Sequence, residues 1–183
     1  MEEDEIIKLA KAKDEKAFEQ LVNQYKPIVE KFAFQFGMEP EIIPDIVQET
    51  FIKIYRKIHQ YHRGKFSTWI YQITLNVTRD YYRKRKREFN LIDKAKKTQI
   101  MEIQGGYYFE KEEHLFLHEC IQKLDPKYKT PIILYYFHDK TYEEIAMILK
   151  IKLSSVKTRI HRGKMKLKEI YEQAEGKEVY MNG

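Results

Sequence analysis

The sequence predicts an all-α protein of two small helical domains joined by a flexible linker, and three observations carry that expectation. Apolar residues recur at three and four residue steps, strand-like alternation never persists, and only 7 glycines and 5 prolines punctuate 183 residues. Between residues 88 and 111 the period is lost, Gly105-Gly106 appears, and charges alternate with isolated apolar residues, as in a connector. The flanking segments suit two small cores in domains of roughly 80 residues.

The first helices place Ile6, Ile7 and Leu9, then Ala17, Phe18, Leu21, Val22 and Tyr25, on an inward stripe. Asp14 suits an N-cap, Pro27 is expected to bend or divide the second helix, and Gly37 to stop it after Phe32, Ala33 and Phe36. Pro44 fits a first turn, so a third helix runs to about His59 with Val47, Phe51, Ile54 and Ile58 buried. After a loop from Gln60 to Lys65, Ser67 is expected to cap a helix that turns Trp69, Ile70, Ile73, Val77 and Tyr81 inward. That helix is expected to dissolve in the basic run Arg83-Lys84-Arg85-Lys86-Arg87, which sets the first domain at 1–87 and the linker at 88–111. The second domain, 112–172, resumes with Leu117, Ile121 and Leu124, and restarts at Asp125-Pro126 before Ile132, Ile133, Leu134 and Tyr136. A tail, 173–183, follows.

Composition narrows the function. Lys and Arg number 34 against 28 Asp and Glu, a net charge of +6, which admits a polyanionic partner. A single cysteine, Cys120, forbids an intrachain disulfide and lacks the spacing of a thiolate zinc site; it reads as a small core residue in a reducing, cytoplasmic setting. The acidic start MEEDEIIKLAKAKDEK is unlike a signal peptide, and no apolar run approaches the roughly 20 residues of a membrane span. Direct membrane insertion is therefore not expected.

Near the C-terminus, Thr141-Tyr142-Glu143-Glu144 has the form of a capping box ahead of Ile145, Ala146, Ile148 and Leu149. After a short connector, Lys150 to Leu153, either Ser154 or Ser155 can cap a second helix with Val156, Ile160, Gly163, Leu167 and Ile170 on one face. Two short helices and a tight turn make a helix-turn-helix. At 100° per residue the opposite face presents Thr158, His161, Arg162 and Met165, flanked by Lys157, Arg159, Lys164 and Lys166. Such a face suits DNA, with side chains reaching base edges in the major groove and cations meeting phosphates. A solvated basic helix in a bundle would carry the same pattern.

In the first domain, Asp45, Gln48, Glu49, Ile52 and Arg56 share the outward side of the third helix, which leaves an isoleucine among polar groups as in a docking surface. An acidic face that is merely solvated is the plainer alternative. A second stripe on the next helix, Gln72, Asn76, Arg79, Arg83 and Lys86, can follow a phosphate backbone. Just before it, Tyr61, His62, Lys65, Phe66 and Trp69 mix rings and cations as surfaces for unpaired bases do. Tyr61 is the better stacking candidate, and Phe66 and Trp69 the better core residues.

Taken together, DIVQETFIKIY at 45–55, KFSTWIYQITLNVTRDYYRKRKR at 65–87 and TYEEIAMILKIKLSSVKTRIHRGKMKLK at 141–168 resemble the signature segments of the extracytoplasmic-function (ECF) sigma factors of RNA polymerase, in the same order. The resemblance spans residues 5–172, and departs from the pattern where Lys152 and Ser154 stand in place of the usual proline and glycine of the turn. It implies that Asp45, Gln48, Glu49 and Phe51 belong to the segment that docks on core polymerase, with the angular reading adding Ile52 and making Phe51 internal support. It implies that Tyr61, Lys65, Asn76, Arg79 and Arg83 engage the minus-ten element as it opens, and that Ser155, Lys157, Thr158, Arg159, His161 and Arg162 read the minus-thirty-five element. It further implies an alternative sigma factor of a stress or envelope response, with core RNA polymerase, promoter DNA and an anti-sigma protein, often membrane-anchored, as partners. No catalytic residue, metal or cofactor is expected. Two rivals are weighed: a free-standing helix-turn-helix regulator, which would use the second domain as a symmetric dimer on a palindromic site, and a metal enzyme built on His114 and His118, one helical turn apart.

Overall fold

The computed structural model describes residues 2–62, 64–92 and 112–181, and all regular structure among them is helical. They form two compact units, the first carrying α1 (Glu3–Lys11), α2 (Glu15–Phe36) as far as Phe34, α3 (Ile43–Lys57) and α4 (Phe66–Ile92), the second Gln35–Gly37 with α5 (Glu112–Gln122), α6 (Pro126–Phe137), α7 (Tyr142–Leu149) and α8 (Leu153–Met181). A 3-10 turn, Ile58–Gln60, follows α3.

In the first unit α1 buries Ile6, Ile7 and Ala10, whereas Leu9 stays exposed, because Ala10 rather than Leu9 completes the three and four residue spacing. Asp14 caps α2 as expected, its Oδ1 accepting the Ala17 N–H at 2.8 Å. Pro27 does not divide α2 into two helices: the helix runs through it. Pro27 and Asn23, whose carbonyl loses its amide donor, are both exposed, so water can serve that oxygen. Gly37, at φ +101°, ends the helix in a conformation that favours glycine. The expected stripe of α3 is buried and is joined by Ile43, Ile46 and Thr50. α3 lies against α4, whose Phe66, Ile70, Tyr71, Ile73, Leu75 and Val77 are buried.

Two expectations for α4 are corrected. The helix begins at Phe66, so Ser67 lies inside its first turn and the Lys65 carbonyl accepts the Thr68 N–H at 3.0 Å in the capping role. It also continues through the basic run to Ile92, since Lys and Arg are good helix formers and α4 has no glycine or proline to stop it. Of the connector expected at 88–111, residues 88–92 end this helix, and 93–111 lie outside the described residues.

In the second unit α8 is contacted by α5, α6 and α7. Asp125 caps α6, accepting the Lys127 N–H at 2.9 Å, and Ile132, Ile133 and Leu134 are buried, as are Cys120, Ile121 and Leu124. Tyr136, expected inside, is 48% exposed because it lies in the last turn of α6, beyond the buried run Lys129–Leu134. Gly163 lets α8 approach α6: a Cβ there would stand 3.1 Å from Ile132 Cγ1 and 3.4 Å from Tyr128 Cβ.

Candidate functional site

The helix-turn-helix forms from its own local chemistry. Thr141 Oγ1 accepts the Glu144 N–H at 3.2 Å while Glu144 Oε2 accepts the Thr141 N–H at 2.9 Å, closing the capping box. At the other end of α7, Lys150 adopts φ 54°, and the N–H groups of Ile151 and Lys150 donate to Ala146 (3.1 Å) and Met147 (3.4 Å). This is a Schellman turn built on lysine rather than glycine. Neither Ser154 nor Ser155 caps α8, which begins one residue earlier at Leu153; the Lys152 carbonyl accepts from Ser155 at 2.9 Å and from Val156 at 3.2 Å.

Val156, Ile160 and Gly163 turn inward, and Lys157, Thr158, His161, Arg162, Lys164, Met165 and Lys166 are exposed. Arg159 and Ser155 are half-buried at the edge of that face. The Thr158 hydroxyl donates to the Ser154 carbonyl at 3.0 Å, which leaves its oxygen as the group offered outward. Ser154, Ser155, Thr158, Arg159 and Arg162 line a groove of about 350 Å³ together with Lys127 and Tyr128 of α6. Lys127 and Tyr128 were absent from the sequence-based set; the signal was present in Asp125-Pro126, which fixes Lys127 in the first turn of α6 beside the start of α8.

In the first unit the outward side of α3 divides. Gln48, Ile52 and Arg56 line a groove of about 820 Å³ with Phe18, Val22, Lys26 and Glu30 of α2 and with Pro44, Val47, Phe51 and Tyr55. Phe51 is only 7% exposed, so it forms the floor. Asp45 and Glu49 lie on the other edge, near α4: burial and then these two carboxylates push the Tyr81 phenol up. Glu49 also pairs with Lys53 at 3.3 Å. An apolar channel thus runs beside an acidic edge, with Ile52 37% exposed between them. Sequence reasoning missed the α2 wall because Phe18 and Val22 occupy the inward spacing; both are half-buried.

Along α4, Asn76 and Arg83 are exposed and Arg79 half-buried, as one stripe. Arg83 pairs with Asp80 at 2.5 Å, and Arg85 turns away to pair with Glu39 in the α2–α3 connection. Ahead of the helix, Tyr61 is half-buried with its ring centroid 5.0 Å from Phe66 and 5.7 Å from Trp69, while Phe66, 2% exposed, also meets Tyr25 at 5.6 Å. The Tyr61 hydroxyl donates to the Gly64 carbonyl. Lys65 and His62 are exposed on the same loop. Among the described residues no cluster of three His, Cys, Asp or Glu side chains fits a metal ion, and no helix is long and apolar enough to cross a membrane.

Residues 21–88 match the family described as Sigma-70 region 2, and residues 116–167 match Sigma-70, region 4. The ECF RNA polymerase sigma factor SigW of Bacillus subtilis is 34% identical over 174 residues, 89% of this chain and 93% of its own. The fold resembles CnrH bound to the cytosolic domain of CnrY, with TM-score 0.70 and 23% identity over 92% of this chain and 96% of that one. It also resembles the sigma factor RpoE of Bartonella quintana in complex with the anti-sigma factor NepR, with TM-score 0.67 and 24% identity over 86% and 98%. The chain belongs to the ECF family of RNA polymerase sigma factors, which are transcription initiation factors rather than enzymes, and the free-standing regulator is set aside.

Proposed function

We infer that the two units divide promoter recognition between them. In the first, the groove floored by Phe51, together with Asp45, Gln48, Glu49 and Ile52, docks on core polymerase. The mixture of one exposed isoleucine, an amide and two carboxylates supports this, since an apolar centre gives affinity and its polar rim fixes orientation. Tyr61, Lys65, Asn76, Arg79 and Arg83 receive the minus-ten strand. Opening needs no nucleotide hydrolysis: each unstacked base costs a few kcal/mol, offset by ring contacts and phosphate neutralisation. In the second unit Lys157, Thr158, His161 and Arg162 read the minus-thirty-five element in the major groove, with Ser155 and Arg159 at its edge.

The observation that carries this reading is the outward face of α8, where a threonine, a histidine and several cations are exposed on a helix whose opposite side is locked by Val156, Ile160 and Gly163. Regulation by an anti-sigma protein, work in the cytoplasm and a stress or envelope regulon are part of the proposal; RpoE, of similar fold, is bound to the anti-sigma factor NepR, and CnrH to the cytosolic domain of CnrY. The test is transcription of fragmented genomic DNA of the source organism by core polymerase, with and without this protein, followed by sequencing of RNA starts. New starts that share a two-part upstream element are expected. Starts that share only one element would remove the division of labour.

A further inference from the structure

The minus-ten loop is tied to a helix that the promoter reading leaves unused. Every polar group of Tyr61 is engaged. Its N–H donates to the Ile58 carbonyl at 3.1 Å, its hydroxyl donates to Gly64, and its carbonyl accepts from the ammonium of Lys11, in the last turn of α1. The same ammonium lies 5.2 Å from the centre of the Tyr61 ring, within cation–π range. One residue thus holds both the backbone and the ring of Tyr61. α1 itself buries Ile6, Ile7 and Ala10, contacts the 3-10 turn that precedes Tyr61, and is tied to α2 by Glu3, whose carboxylate accepts from the Tyr25 hydroxyl and from Gln24 Nε2 at 3.2 Å. A second clip of the same kind stands beside the first. Lys13, held at φ 68° in the turn after α1, donates to the Tyr55 carbonyl at 3.5 Å and lies 4.0 Å from the Tyr55 ring centre.

The consequence concerns pre-organisation. The 58–65 segment joins α3 to α4; Tyr61 makes two bonds within it, to Ile58 and Gly64, and Lys11 adds a tie from a separate helix. A loop that must receive an extruded base gains rate and affinity if its shape is set beforehand. We propose that Lys11 is a positioning residue for promoter opening, which fixes Tyr61 against Phe66 and Trp69 so that the loop presents a ready surface to the unpaired minus-ten base. The proposal rests on the reading that Tyr61 receives that base. Lys11 touches no DNA in this scheme and acts only through Tyr61, whereas the minus-thirty-five face lies on the other unit and is untouched by it.

The experiment uses the full chain assembled with core polymerase, on a promoter mapped as above, with 2-aminopurine at the minus-ten position reporting base extrusion. The variants are Lys11→Met, which keeps the alkyl stem, Lys11→Arg, which keeps the donor and the charge, Tyr61→Ala, and Lys11→Met with Tyr61→Ala. Lys11→Met and Tyr61→Ala are each expected to slow extrusion by about tenfold, Lys11→Arg to restore most of it, and the double variant to be no slower than Tyr61→Ala alone. Core affinity and discrimination at the upstream element should stay at the parent level. Parent-rate extrusion by Lys11→Met beside a slow Tyr61→Ala would overturn the role of Lys11 and leave base capture standing. Parent rates in both would overturn base capture by this loop and the proposal with it. A Lys11→Met protein that loses core affinity to the same degree as extrusion would also overturn the proposal, because the residue would then serve the stability of the unit as a whole.

Discussion

α4 and α8 are both long basic helices, yet their cations are held differently. On α4, Arg83 pairs with Asp80 and Arg85 with Glu39, so the basic run is oriented by carboxylates of its own unit before any ligand arrives. On α8, Lys157, His161 and Arg162 are exposed, and among the described residues they have no ion-pair partner. A phosphate meeting Arg83 or Arg85 must share or displace a carboxylate, whereas Lys157, His161 and Arg162 offer their charge and hydrogen-bond donors directly, the ion pair of α8 lying further along at Lys168–Glu172. The contrast fits two tasks: a helix that follows a backbone through charge, and a helix whose individual side chains choose bases.

The largest expected effect lies outside both helices. Asp45→Arg reverses a charge on the α3 edge and is expected to weaken core binding by about 100-fold, a cost of roughly 3 kcal/mol, with helical content unchanged. Titration of labelled protein against core polymerase checks it, and unchanged affinity would take that edge out of the interface. Next come His161→Ala and Arg162→Ala, which should each cost about 1–3 kcal/mol at promoters that carry the contacted base and little elsewhere, as a promoter panel would reveal. Gly163→Val should lower the stability of the second unit by roughly 1–3 kcal/mol in denaturant unfolding, because the added carbons enter space held by Ile132 and Tyr128. The smallest effect sharpens the comparison most: Arg83→Ala should weaken DNA engagement uniformly across promoters and lower the salt slope by about one. Strong promoter selectivity in Arg83→Ala would erase the distinction between the helices.

Legibility in the sequence followed the range of the interactions. Asp14, Asp125 and the Thr141–Glu144 box act within three residues, so their roles follow from spacing alone. The inward face of α3 was equally plain, as was that of α8 at Val156, Ile160 and Gly163, with Leu167 and Ile170 half-buried, since periodicity is a local property. Helix ends were harder. Ser67, Ser154 and Ser155 have the right chemistry for caps, but the chain enters each helix earlier, through the Lys65 and Lys152 carbonyls, and backbone groups take the role. Pro27 does not end its helix because the carbonyl that loses its donor, that of Asn23, is exposed to water. What was hidden altogether joins distant segments: the α2 wall of the docking groove, Lys127 beside the start of α8, and Lys11 on Tyr61, 50 residues away. No period or motif encodes such a pair, and only the folded unit brings its members together.

The division of labour is tested most directly by changing protein and promoter together. On one mapped promoter, every base of the upstream and downstream elements is substituted in turn, and open-complex formation is measured with the parent protein, with Arg162→Ala and with Asn76→Ala. Arg162→Ala is expected to become indifferent to one or more upstream bases while keeping full discrimination downstream, and Asn76→Ala to show the reverse. Equal loss of signal from every promoter variant, with discrimination intact at both elements, would contradict the account.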